Sequence, residues 1–242
     1  MIINDKYILN NPCLKKNTKR KETLGVLIHS TATPGADPER LARAWDKSSC
    51  EVCVHSLCDD KHVLNILPSD VRCWGCGSGS KGSRNSSHIQ LEICEPAGIY
   101  FDKGWNYKVK EGCEAEVIRY IKEAFEVACQ WAAYTLKKNG IKEVNSLTVT
   151  SHYESHIDGF ASNHGDPKGL FALAGLDMWK FRERVKQLME EKTVVDKNKP
   201  SKFAEEAWQL ATIKGVLDGS NPRDPLTREQ LAVVLNRLHL LN

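Results

Sequence analysis

Three histidines and a carboxylate crowd one short stretch: His152, His156, His164 and Asp166 fall within fifteen residues. Far upstream, His29 shares a feature with His152. Each follows an apolar run of strand-like composition, Leu24 to Ile28 in one case and Leu147 to Thr150 in the other. Two imidazoles and a carboxylate from separate parts of a chain can make a three-ligand zinc site whose fourth position is left for water. That open position separates a catalytic zinc from a structural one. Taken singly, each histidine reads as a satisfied structural residue. Together with Asp166 they read as a metal centre. His156 stands four residues after His152 and competes with it as ligand if the segment is helical.

The elements that must position these residues alternate along the chain. Leu24 to Ile28 is apolar apart from Gly25, the pattern of a strand buried on both faces of a sheet. Pro38 to Trp45 reads as a helix with Asp37 as its N-cap and proline at its first position. Val52 to Leu57 and His62 to Leu67 read as strands joined by the turn Asp59-Asp60-Lys61. Gly75 to Ser87 is rich in glycine and serine and reads as a loop. Residues 88 to 93 alternate, with Ile89, Leu91 and Ile93 on one face and Gln90 and Glu92 on the other. Glu114 to Lys138 carries a helical stripe of Val117, Ile121, Ala124, Ala128, Trp131 and Leu136, and stops at Asn139-Gly140. Leu147 to Thr150 is a further strand and Asp177 to Glu191 a further helix. The fold class expected is α/β, a central mixed sheet flanked by helices over residues 1–191. A polar linker follows over 192–200, then a small all-α module over 201–242, with helices Phe203 to Lys214 and Arg228 to Leu241. His29 and His152 then sit just past strand ends, where open α/β sheets form their ligand crevices.

Composition narrows the classes. A net charge of +3 disfavours a nucleic-acid binder, and the one dense basic run, Lys15 to Lys21, reads as a solvated loop. No stretch approaches the ~20 apolar residues that span a bilayer. Met1 to Lys6 shows no secretory signal, so synthesis in a cytoplasm is expected. The nine cysteines then read as mostly reduced thiols. Cys50-x-x-Cys53 and Cys73-x-x-Cys76 have the spacing of a four-thiolate zinc site, which would mark a zinc-ribbon binding module. Free thiols, buried or half-buried, are the preferred reading, because Cys53 falls within an expected strand.

Several segments occur in a recognisable order: Leu27 to Ala32, Val54-His55 with the hairpin to Leu67-Pro68, Val71 to Gly77, Asn85 to Glu92, Thr150-Ser151-His152, and Asn163 to Pro167. In that order, over residues 22 to 185, the chain resembles the type-2 zinc-dependent N-acetylmuramoyl-L-alanine amidases. That family shares its fold with peptidoglycan-recognition proteins and includes many phage endolysins. The resemblance implies one catalytic zinc ion held by His29, His152 and Asp166, with Glu92 as general base and His164 as oxyanion stabiliser. His55, Trp74 and Asn85 become the expected substrate contacts. Glu92 is preferred to Glu95 because the alternation points it away from the apolar face. His152 is preferred to His156 because it directly follows its strand. One departure is notable: many relatives carry histidine directly after the tryptophan that here is Trp74, whereas this chain has Gly75 and then Cys76.

The resemblance implies hydrolysis of the amide between N-acetylmuramic acid and L-alanine in bacterial peptidoglycan, by an endolysin or by a host autolysin with the same chemistry. The alternative is a non-catalytic recognition protein. In such relatives the third ligand is typically replaced, so Asp166 discriminates. Residues 201–242 resemble a single S-layer homology repeat, a type that in sets of three binds secondary cell-wall polymer. About forty residues bury too little to stand alone. The module is therefore expected to pack on the catalytic domain or to associate with further copies of the chain, and association is favoured.

Overall fold

The structure, a computed structural model, describes residues 1–102, 106–190, 199–201 and 204–241. The chain divides into two compact units, residues 1–190 and 191–242. In the first, the strands are β1 (Ile2–Asp5), β2 (Gly25–Ser30), β3 (Ser56–Cys58), β4 (His62–Asn65), β5 (His88–Ile93), β6 (Ile99–Phe101), β7 (Tyr107–Val109) and β8 (Val149–Ser151). The helices are α1 (Pro12–Lys16), α2 (Pro38–Trp45), α3 (Glu114–Lys138), α4 (His152–Ile157), α5 (Lys168–Leu173) and α6 (Met178–Glu190). Six strands form one sheet in the order β1-β4-β3-β5-β2-β8. Only the β3–β4 hairpin pairs antiparallel; every other neighbour is parallel, so the sheet is mixed. β6 and β7 make a separate hairpin.

Every residue of β2 is buried, as a central strand covered on both faces requires. One face packs Val26, Ile28, Ile89, Leu91 and Ile93 against α3 and α6. The expected stripe of α3 is buried along its whole length. Phe125 meets Phe171 and Phe181 edge-on there, at 5.1 and 5.2 Å between centroids. Alternation sends Leu27, His29, Gln90 and Glu92 to the opposite face. Gly25 is required where β2 crosses β8: a Cβ there would lie 2.2 Å from the Thr148 carbonyl oxygen.

Some expected boundaries shift, each for a local reason. Pairing in β3 begins at Ser56 rather than Val52, because the Nδ1 of His55 accepts the Gln90 amide at 2.9 Å, a hydrogen bond that a longer ladder would use. β8 begins at Val149, since the Asn145 side chain captures the amides of Leu147 and Thr148. β2 continues through His29, placing that histidine within the strand instead of beyond it. β1, the β6–β7 hairpin and the short helices α1, α4 and α5 are elements that periodicity does not reveal. Cys53 is bonded to Cys13, and seven other cysteines are free. The two C-x-x-C pairs form no metal-type cluster among the described residues, and Cys53 is taken up by Cys13.

The second unit holds α7 (Glu205–Ile213) and α8 (Arg228–Arg237), neither with a buried residue. Thr227 caps α8 through a reciprocal box with Gln230. The helix stops at Arg237, short of Leu241, and His239 turns into the left-handed region at φ 55°. The expected linker lies largely outside the described residues, as does Phe203. No helix among the described residues is long and apolar enough to cross a membrane.

Candidate metal centre

The parallel strands β2, β5 and β8 bring His29, Glu92 and His152 to one edge of the sheet. In register, His29 lies opposite Glu92 and Leu27 opposite Gln90. At the end of β8, Ser151 caps α4: its hydroxyl accepts the Glu154 amide, and the Glu154 carboxylate accepts the Ser151 amide. His152 therefore becomes the first residue of the helix. Arg182 holds Glu154 at 3.0 Å. The buried Arg84 reaches Thr150, Ser155 and Asp158, tying strand to helix behind the histidine. Asp166 arrives on the following loop, whose backbone carbonyl at Asp166 accepts the Tyr153 amide.

The Nδ1 of His29 lies 3.1 Å from Asp166 Oδ2 and 3.1 Å from the Nδ1 of His152. His152 Nδ1 is 3.4 Å from Asp166 Oδ1. Ligand atoms at about 2.0–2.1 Å on a tetrahedral zinc stand roughly 3.3–3.4 Å apart. The three donors thus have the identity and spacing that such an ion requires, and theirs is the metal-type group found among the described residues. Both histidines are buried, while Asp166 keeps part of its surface open. Burial would raise the Asp166 carboxyl, but the two imidazoles against it hold it well below the usual range. Burial lowers His152, opposed by its hydrogen bond to Asp166. Each imidazole engages a second partner through Nε2: Gln90 Oε1 at 3.0 Å for His29, Ser162 Oγ at 3.3 Å for His152.

Glu92 lies beside the cluster, and its Oε2 is buried without a hydrogen-bond partner. Burial, then the charges of Asp166 and Glu95, push its carboxyl well above the ordinary value. Glu95 follows the end of β5, where alternation no longer applies, and it too approaches the site. Its Oε1 accepts from the Ala32 amide at 3.1 Å and from the Tyr107 hydroxyl at 2.5 Å. His164 is exposed, with Nδ1 3.3 Å from His152 Nε2 and its ring edge-on to that of His152. His156 turns to the Ala161 carbonyl and stays out of the cluster, although its segment is helical.

The three expected substrate contacts are not brought to the metal centre. His55 is buried with both ring nitrogens engaged, Nε2 by the Val71 carbonyl and Nδ1 by the Gln90 amide. Asn85 is buried among Cys76, Gly77 and Gln90. Trp74 is half-buried under the Lys16 ammonium, 4.9 Å from its ring centroid. Gln90, Arg84, Tyr107 and Ser162 shape the site without having drawn notice in the sequence. Gln90 alone left a signal, a polar residue inside an apolar strand.

Fold and site together define an α/β protein with a histidine–carboxylate metal-type centre at the strand-end edge of a mixed sheet. The N-acetylmuramoyl-L-alanine amidase family (Amidase_2) matches residues 19–169, and the chain belongs to it. It is 32% identical over 146 residues to the N-acetylmuramoyl-L-alanine amidase CwlH of Bacillus subtilis (strain 168), covering 59% of this chain and 55% of that protein. The amidase CwlA of the same organism is 28% identical over 115 residues, covering 48% of this chain and 35% of its own. The matches thus span about half or less of these curated relatives. The fold is shared with the Staphylococcus aureus hydrolase AmiA, at a TM-score of 0.56 and 17% identity over 78% of this chain and 83% of that one. It is shared equally with the PlyG catalytic domain, at 0.55 and 21% over 80% and 98%.

Proposed function

We propose that the chain hydrolyses the amide between the lactyl group of N-acetylmuramic acid and the L-alanine of the stem peptide in peptidoglycan, using one zinc ion held by His29, His152 and Asp166. The observation that carries this reading is the convergence of those three donor atoms within 4.8 Å of one another, in a chain of the amidase family. When bound, the ion polarises the amide carbonyl and lowers the pKa of a water at its open position. Glu92, opposite His29 in the sheet and with its Oε2 buried and unpartnered, takes the proton of the attacking water and passes it to the leaving amine. His164, exposed beside His152, donates to the oxygen on which negative charge develops. A recognition protein that only grips muropeptides needs no third ligand, so Asp166 favours hydrolysis over binding alone.

The second unit supports a wall-directed role through its resemblance to S-layer homology repeats, with secondary cell-wall polymer or further copies of the chain as its partners. That role suits an endolysin, and an autolysin would use the same centre. Metal analysis tests the core of the proposal. About one zinc per chain is expected, and chelation is expected to abolish wall lysis until zinc is restored. Full lysis by thoroughly metal-free protein would contradict it.

A further inference from the structure

Hydrogen-bond polarity can be followed inward to His29 from the backbone. The Cys76 amide can only donate, and it lies 3.1 Å from one terminal atom of Asn85, so that atom is the oxygen. The other terminal atom of Asn85 faces the Gly77 carbonyl at 3.3 Å, as an amide nitrogen should. Asn85 Oδ1 therefore accepts, and the Gln90 atom 3.0 Å from it must be the Nε2 donor. That leaves Gln90 Oε1, an acceptor, 3.0 Å from His29 Nε2. The imidazole must then carry a hydrogen on Nε2, which in the neutral ring leaves the Nδ1 lone pair facing Asp166 and His152.

The relay is sealed from water: Asn85, Gln90 and His29 are 3%, 0% and 1% exposed. Room for it is built into the chain. A Cβ at Gly75 would stand 2.4 Å from Gln90 Oε1 and 2.7 Å from a methyl of Val54, so the glycine after Trp74 reserves the space that the Gln90 amide fills. The hold on His152 is looser: its Nε2 faces the Ser162 hydroxyl at 3.3 Å, which also donates to the Cys76 carbonyl at 3.2 Å, and the exposed ring of His164.

We infer that Gln90, oriented by Asn85 and accommodated by Gly75, is a positioning residue that fixes His29 in the Nε2–H tautomer and presents its Nδ1 lone pair to the metal. The inference rests on the zinc reading above, and the test separates the two. Zinc affinity is measured on the full chain by chelator competition, and the His29 tautomer by 15N shifts of the metal-free protein. Wild type should bind zinc and show the hydrogen of His29 on Nε2. Gln90→Leu should weaken zinc binding about 10–100-fold, the range for losing an outer partner of a ligand histidine. Gly75→Ala, which displaces the amide without removing it, should act in the same direction. Wild type that binds no zinc would sink the zinc reading, while the 15N shifts would still decide the tautomer. Zinc bound as tightly by folded Gln90→Leu as by wild type, or a neutral His29 ring in wild type with its hydrogen on Nδ1, would overturn the inference.

Discussion

At the scale of single residues, the proposed hydrolysis divides labour between groups that would hold the ion and a group that moves a proton. Glu92→Gln keeps the shape of the side chain but cannot accept a proton, so it should retain about one zinc per chain while wall lysis falls by the 10²–10⁴-fold typical of a lost general base. His29→Ala should lose both metal and lysis. Turbidity decline of purified walls, read beside metal content, checks the pair; Glu92→Gln with nearly full lysis would shift the role to Glu95, whose Oε2 is likewise buried without a partner. The cluster of His29, His152 and Asp166 was legible because residue type constrains it: few side chains bind zinc, and these follow strands or lie near one another. The Gln90 relay was not, because a glutamine in a strand shows polarity but not its target. Its target depends on where the Gly75 to Ser87 loop folds back, which no local pattern records.

At the scale of elements, long periodic segments were readable and short ones were not. The twenty-five residues of α3 repeat their apolar positions often enough to specify the helix end to end. β1 spans four residues, mostly exposed, and depends on β4 for its pairing, so nothing in its own sequence announces it. The sheet also stores a pH dependence in two histidines that pin strand ends. Burial lowers His88 to about 4, with its Nε2 on the Leu147 carbonyl, and lowers His55 to about 3. In the unfolded chain both would titrate near ~6.5. Below that pH the unfolded state binds protons that the folded state refuses, so stability falls with pH, by up to ~1.4 kcal/mol per pH unit for each histidine. His88→Gln should therefore flatten the fall between pH 6.5 and 4.5 by about one proton in urea unfolding; an unchanged slope would remove His88 from the account.

At the scale of the whole molecule, the two units differ in what they bury. The first has a core on both sheet faces. The helices of the second bury nothing, and leave Leu210, Ile213 and Val233 more than half exposed. Association of copies, proposed for this unit, would cover such side chains. Deleting residues 198–242 should lower the mass of the particle in solution to that of a single truncated chain while leaving zinc content unchanged. A wild-type chain that is already monomeric, or an unchanged oligomeric state on deletion, would rule out association through this unit. If copies associate, weak wall contacts would also multiply through avidity.

The central claim is the bond that is cut, and mass spectrometry of peptidoglycan digested by the zinc-loaded full chain reads it directly. The account predicts stem peptides released with a free L-alanine amine and glycan strands without new reducing ends. New reducing sugar ends, or peptides cleaved elsewhere while L-alanine stays attached to the sugar, would contradict it.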